Sequence, residues 1–272
     1  MSILVVGHYC HDTLIGNEGA RRTLGGSAAY ASAILHALGE PHEVVAKVGA
    51  DFLYAGEVCR KALVVPGPTT AFVDDYRGVE RSERALAVAA EIEPSDLPSG
   101  FEVGLACAIA GELPLRTLQR LRRVTRVVIA DAQSILREIS PRGEVLLHAP
   151  AAQAVEAIDF LKASSKEAEV LDVEDLRQRL TLLVTDGRRG CTLLGRDTEA
   201  HVDSFPATEK DPTGAGDCFL AGFAAGVVHG LPPARAARLG AWCGARAVEH
   251  TGVPRLDPAE ARAALRSVLP PP

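Results

Sequence analysis

The clearest chemical arrangement in this chain is an aspartate that follows two closely spaced glycines at the mouth of an apolar run. The stretch reads Asp211-Pro212-Thr213-Gly214-Ala215-Gly216-Asp217, and Cys218–Val228 continues it as a predicted buried helix. Pro212 biases Asp211 toward extended backbone, while Gly214 and Gly216 let the chain turn tightly with its N–H groups exposed. Such donors at a helix N-terminus, together with the positive end of the helix dipole, attract an anion, and a phosphate fits. A carboxylate beside a phosphate is unfavourable on charge alone, so Asp217 needs another task. Taking the proton of an attacking hydroxyl is one. A glycine turn capped by an aspartate uses the same residue types, and by itself such a loop is a weak signal.

A second glycine pair, Gly25-Gly26-Ser27, opens the Ala-rich segment Ser27–Leu38, which stops at Gly39 with Pro41 beyond. Glycines there let backbone approach a ligand closely or act as a hinge, and they serve equally as a plain helix entry. Asp12 follows the first apolar run. Its carboxylate can accept from two neighbouring hydroxyls of a polyol, or it can form a turn before Thr13. His8, Cys10 and His11 lie close in sequence, but strand alternation would send them to different faces, which argues against a metal cluster.

Short β-branched runs must carry these loops. Ser2–Val6, Val44–Val48, Thr125–Ala130, Ala157–Leu161 and Leu180–Thr185 each predict a buried parallel strand. Helical patterns between them predict one domain over residues 1–272, a three-layer αβα sandwich with a mostly parallel central sheet. Residues 13–24 and 69–92 break the alternation and predict a small β lid, with strands at Ala71–Tyr76 and Arg84–Glu91 joined by a polar turn around Gly78. Pro270–Pro272 reads as a tail.

The chain has 272 residues, 47% hydrophobic and 24% charged, with a net charge of −6 and no long basic run, so nucleic acid is not an expected partner. No apolar run approaches the roughly 20 residues of a membrane span. A strand at the N-terminus leaves no room for a signal peptide, and six scattered cysteines without a Cys-x-x-Cys pair suit reduced thiols, so a cytoplasmic location is expected. Neither a Gly-x-x-x-x-Gly-Lys-Ser/Thr loop nor a His-Glu-x-x-His occurs.

The string Asp211–Asp217 resembles the C-terminal signature of the ribokinase-like (PfkB) carbohydrate kinases, and Gly25-Gly26-Ser27 resembles their N-terminal glycine-pair motif. The resemblance spans nearly the whole chain. It implies ATP and Mg²⁺, with Asp217 as catalytic base and Thr213, Gly214, Ala215 and Gly216 as the anion hole. It places Asp12, Gly25, Gly26 and Ser27 against substrate hydroxyls. Ser164-Ser165-Lys166-Glu167 falls where many members carry Asn-x-x-Glu, which implies that Glu167 acts on magnesium through water while Ser164, with shorter reach than Asn, contacts the nucleotide phosphates. Thr185-Asp186-Gly187 is similar to the family's Thr-x-Gly segment, putting Thr185 and Gly187 beside those phosphates and Ala241 and Gly244 near adenine.

For the acceptor, many sugar kinases of the family place Asn four residues after the second Gly, where this chain has Tyr30. Its single Asn is Asn17. Gly7-His8-Tyr9-Cys10-His11-Asp12, Asp131-Ala132-Gln133 and Phe160-Leu161-Lys162-Ala163-Ser164-Ser165 resemble the plant-type inositol 3-kinase branch, which implies a cyclitol acceptor, myo-inositol foremost, met by Asp131, Gln133 and Lys162 at strand ends. Lys162 serves either the transferred phosphate or as an ordinary strand-end charge. A furanose sugar or nucleoside as acceptor, and a non-catalytic nucleotide- or sugar-binding regulator, remain as other readings. Lids in this family sometimes pair across a homodimer.

Overall fold

The computed structural model describes residues 2–17, 19–78 and 82–270. The far side of the polar turn expected around Gly78, and Pro271 and Pro272 of the expected tail, lie outside the described residues.

In chain order the strands are β1 (Ile3–Val6), β2 (Cys10–Gly16), β3 (Gly19–Gly25), β4 (His42–Val45), β5 (Lys47–Val48), β6 (Leu63–Val64), β7 (Thr70–Asp75) and β8 (Ser82–Ala87). They continue with β9 (Phe101–Ala106), β10 (Thr125–Asp131), β11 (Arg137–Ile139), β12 (Val145–Leu147), β13 (Phe160–Ser164), β14 (Thr181–Thr185), β15 (Cys191–Leu194) and β16 (Glu199–Val202). The helices are α1 (Ser27–Leu38), α2 (Leu115–Val124), α3 (Gln133–Leu136), α4 (Ala152–Val155), α5 (Ser165–Ala168), α6 (Val173–Leu176), α7 (Ala215–Val228), α8 (Pro233–Ala247) and α9 (Pro258–Val268).

The main sheet has the order β16-β15-β14-β13-β10-β9-β1-β4. It is parallel from β4 to β14 and turns antiparallel only at β15 and β16. Successive side chains of a strand point to opposite faces, and the core divides accordingly. Ile3 and Val5 join α1, α7, α8 and α9 in one apolar layer, whereas Leu4 and Val6 join α2 and α4 in the other. That is the expected αβα sandwich.

Two expected strands are displaced. The apolar run Ala157–Leu161 becomes strand only from Phe160, because Asp159 spends its side chain and its backbone N–H on Val128 and ends the preceding turn there. The expected Val44–Val48 strand divides at Ala46 into β4, in the main sheet, and β5, which pairs with β6. Central β9 escapes the sequence pattern because Gly104 and Ala106 dilute its apolar character; at Gly104 a Cβ would meet Leu121 at 2.7 Å.

The lid is a four-stranded sheet of order β3-β2-β7-β8. Its last strand stops at Ala87 rather than Glu91, because the segment beyond it leaves the lid for the body: the Glu91 carbonyl accepts from Lys47 Nζ at 2.8 Å, and Ile92 is fully buried in the α2 layer. A further hairpin, β11–β12, leans against β8 through Ala85 N–H to the Gly143 carbonyl at 2.8 Å and Arg84 Nε to the Arg142 carbonyl at 2.9 Å. Under the lid, the buried Glu112 carboxylate accepts from the backbone N–H groups of His8, Ile109 and Ala110 and so shapes the loop after β9.

Candidate active site

The loop before α7 is set by Asp211. One carboxylate oxygen accepts from Thr213 N–H at 2.9 Å, and the other from Gly252 N–H at 3.1 Å. Gly214 is the N-cap of α7 with φ 74°, and a Cβ there would stand 2.2 Å from the Tyr30 ring. Only glycine combines that left-handed backbone with that contact. Asp217 then falls in the first turn of α7, at the wall of a cavity of about 230 Å³ between the sheet's C-terminal edge and the lid.

On the body side the cavity is lined by Asp131, Lys162, Ser164 and Glu167 from the ends of β10 and β13 and the turn beyond. Strand ends of an open α/β sheet are where ligands bind. Asp131 and Lys162 form a buried ion pair, Oδ2 to Nζ at 2.9 Å. Burial disfavours the Lys162 ammonium, but Asp131, Glu167 and Asp217 outweigh it and hold Lys162 protonated, its pKa pushed above the ordinary lysine range. Its Nζ would sit 2.7 Å from a Cβ on Gly216, so the cation lies directly beneath the glycine turn. A charge placed there supplements the α7 N–H groups as an anion cradle.

Asp217 is raised to about 6, because burial and the nearby Asp131 charge outweigh Lys162 and the Ser27 hydrogen bond. Gln133 Nε2 donates to Ser27 Oγ at 2.8 Å and reaches Asp217 Oδ1 at 3.4 Å. A carboxylate with a pKa near the working pH, oriented by neutral partners, suits general base catalysis.

On the lid side, Asp12 is buried and accepts from Cys10 Sγ–H at 3.1 Å. Gly25 makes room for it: a Cβ would lie 1.7 Å from Asp12 Oδ2. Gly26 caps α1 and lines the cavity with Ser27. Asp74 and Glu83 from the lid strands and Arg137 from β11 complete this wall. Tyr30, standing where an Asn occurs in many sugar kinases, lines the cavity too; it is 2% exposed, and its hydroxyl has no hydrogen-bond partner among the described residues.

Ser164 and Glu167 form a reciprocal cap of α5. Ser164 N–H and Oγ–H each donate to Glu167 Oε2 at 2.8 Å, and Glu167 N–H donates back to Ser164 Oγ at 3.2 Å. Burial raises the Glu167 pKa, but the Lys162 charge and the Ser164 bonds outweigh it and hold this carboxyl below its ordinary range.

The structure thus gathers Asp12, Gly26, Ser27, Asp131, Gln133, Lys162, Ser164, Glu167, Thr213, Gly214, Gly216 and Asp217 around one cavity. Thr185 ends β14 with its hydroxyl on the Ala163 carbonyl, and Gly187 opens the following turn beside it. Both lie outside the lining, as do Ala215, Gly25, Ala241 and Gly244. Ala241 is buried in the core, and a Cβ on Gly244 would meet the Ala215 carbonyl at 3.2 Å, so these two small residues serve the packing of α8 on α7. Asp74, Glu83 and Arg137 are absent from the sequence reading. Strand alternation in the lid offered a signal for the first two, while Arg137 sits on a hairpin too short to leave a pattern.

The family model for pfkB family carbohydrate kinases matches residues 99–259. Inositol 3-kinase of Zea mays is 42% identical over 94% of this chain and 74% of its own, and inositol 3-kinase of Arabidopsis thaliana is 38% identical over 94% and 76%. Among solved structures, a pyrophosphate-dependent kinase of the ribokinase family, complexed with a pyrophosphate analog and myo-inositol, superposes with a TM-score of 0.82 at 20% identity over 95% of this chain and 99% of that one. A ribokinase of Thermotoga maritima superposes with a TM-score of 0.76 at 18% identity, covering 98% and 99%. With both signatures folded into one cavity and a family match over more than half its length, the chain belongs to the pfkB family of carbohydrate kinases.

Proposed function

We propose that this protein transfers the γ-phosphoryl group of ATP to a ring hydroxyl of a cyclitol, myo-inositol foremost. The observation that carries the reading is Asp217: a carboxylate raised to about 6 on the first turn of α7, facing a cavity whose other wall presents carboxylates. In the proposed step the acceptor oxygen forms a bond to the γ-phosphorus as the bridging P–O bond breaks. The hydroxyl proton goes to Asp217, and the electron pair of the broken bond leaves on the ADP β-phosphate. The amides of Gly214 and Gly216 and the Lys162 ammonium meet the charge that builds on the phosphoryl oxygens, while the Thr213 and Ala215 N–H groups, held by Asp211 and the Pro212 carbonyl, fix the loop. Asp12, with Asp74 on the neighbouring lid strand, accepts from the remaining ring hydroxyls.

The ionised Glu167 lies at the cavity edge, and its oxygens suit a hard cation. Glu167 would hold Mg²⁺ there through water, with the donor phosphates supplying the remaining oxygens. When bound, that ion neutralises charge on the donor phosphates. Ser164, Thr185 and Gly187, grouped at the ends of β13 and β14, are assigned to the phosphates of the donor. All six cysteines are free thiols, which supports a reducing, cytoplasmic setting.

A coupled assay tests the reading. ATP and pyrophosphate are each offered with myo-inositol, other cyclitols, ribose, fructose and nucleosides. Preferred turnover of myo-inositol with ATP supports it; preference for a furanose or nucleoside, or transfer to none of them, removes it.

A further inference from the structure

Three buried side-chain polar atoms have no hydrogen-bond partner among the described residues: Tyr30 Oη, Arg137 Nε and Arg246 Nε. Both Tyr30 and Arg137 line the cavity. The unpaired Arg137 Nε is itself covered, but the Arg137 side chain as a whole is 18% exposed and lines the cavity.

Arg137 is held from two directions. Its Nη1 lies 3.3 Å from Glu83 Oε1 on β8. Its backbone starts β11, whose hairpin is bonded to the same lid strand through Gly143 and Arg142. Glu83 takes the Nη1 end, and the remaining donors of a planar guanidinium match the oxygens of a phosphate. The charge of Arg137 is also felt by Asp217 and Glu167, the residues that flank the path of the phosphoryl group in the proposed transfer. Hydroxyls of a neutral acceptor are already served by the carboxylates of the lid wall. A cation whose charge both carboxylates feel suits an anionic oxygen instead.

We propose that Arg137 is a catalytic residue whose guanidinium donates to the oxygens of the phosphoryl group in transit, supplied by the β11–β12 hairpin and held at the lid by Glu83. The inference rests on the kinase reading above. It adds a charge that arrives with the lid to the cradle already present in the body.

Arg137→Lys, Arg137→Gln and Arg137→Ala are assayed with the acceptor and donor that the wild-type protein uses best, after thermal melting confirms folding. Removing one transition-state donor of this kind costs roughly 10²-fold or more in kcat. The expected result is that loss in all three, with the acceptor KM within about threefold of wild type and partial recovery of the Ala variant by added guanidinium. If the Ala variant does not fold, the Lys and Gln variants decide. A kcat within about threefold of wild type, or a loss carried only by the acceptor KM, overturns the proposal. Wild-type protein that transfers phosphoryl to no acceptor overturns the kinase reading instead, so the two failures are distinct.

Discussion

Asp217 ties chemistry to stability at a single carboxyl. Its folded pKa of about 6 lies above the 3.8 of a free aspartate, so the fold binds the proton more tightly than the unfolded chain does. Linkage then stabilises the fold below pH 4 and loses that contribution as pH rises through 6. Asp217→Asn is therefore expected to melt higher than wild type at pH 7 and to lose this advantage toward pH 4, which melting curves across that range check. Catalysis runs the other way, since the ionised form is the base: kcat/KM is expected to fall about tenfold per pH unit below 6. The buried Lys162 is the counterweight. Lys162→Met leaves Asp131 without its partner, so chemical denaturation should show a loss of about 3–5 kcal/mol. It also removes the charge that lowers Asp217, so the acid limb of the pH profile is expected to move upward; an unmoved limb would separate the two groups. Asp217, Gly214 and Lys162 were legible in sequence because each belongs to a local string. Arg137 and Tyr30 Oη were not, since an unpaired buried donor is a property of three-dimensional neighbours alone.

At the level of elements, a hydrogen bond links the lid and the anion loop, between Tyr76 Oη and Thr213 Oγ1 at 2.9 Å. A bond of this kind is worth about 1 kcal/mol, roughly a fivefold change in the balance of closed and open lid. Tyr76→Phe is expected to raise donor hydrolysis relative to transfer by about that factor, because an open site admits water; an unchanged ratio of hydrolysis to transfer would remove Tyr76 from closure. Glu112 does comparable work beneath the lid. Glu112→Ala strands three backbone N–H groups, and a loss of roughly 3 kcal/mol or more in denaturant titration is expected. Most of the main sheet was legible as apolar runs. The missing parts have physical reasons: β9 is diluted by small residues that α2 packs against, β15 and β16 are short and half-exposed, and β11–β12 gains its stability from β8 rather than from its own sequence.

Across the whole molecule, the two glycine motifs lie far apart in the chain yet meet because β1, next to the β4 edge of the parallel sheet, feeds the lid strands while α7 packs against α1. Gly214 against the Tyr30 ring is one of the contacts between the two motifs. On the proposed reading the fold holds a base and an anion cradle on the body, and carboxylates for a polyol on the lid. Phosphoryl transfer from ATP to myo-inositol by wild type and Asp217→Asn, followed by phosphorus NMR under identical conditions, tests this division most directly. An inositol monophosphate from wild type, with the variant binding the donor normally but at least about 10³-fold slower, is the predicted result. Product from Asp217→Asn at the wild-type rate, or none from wild type, would contradict it.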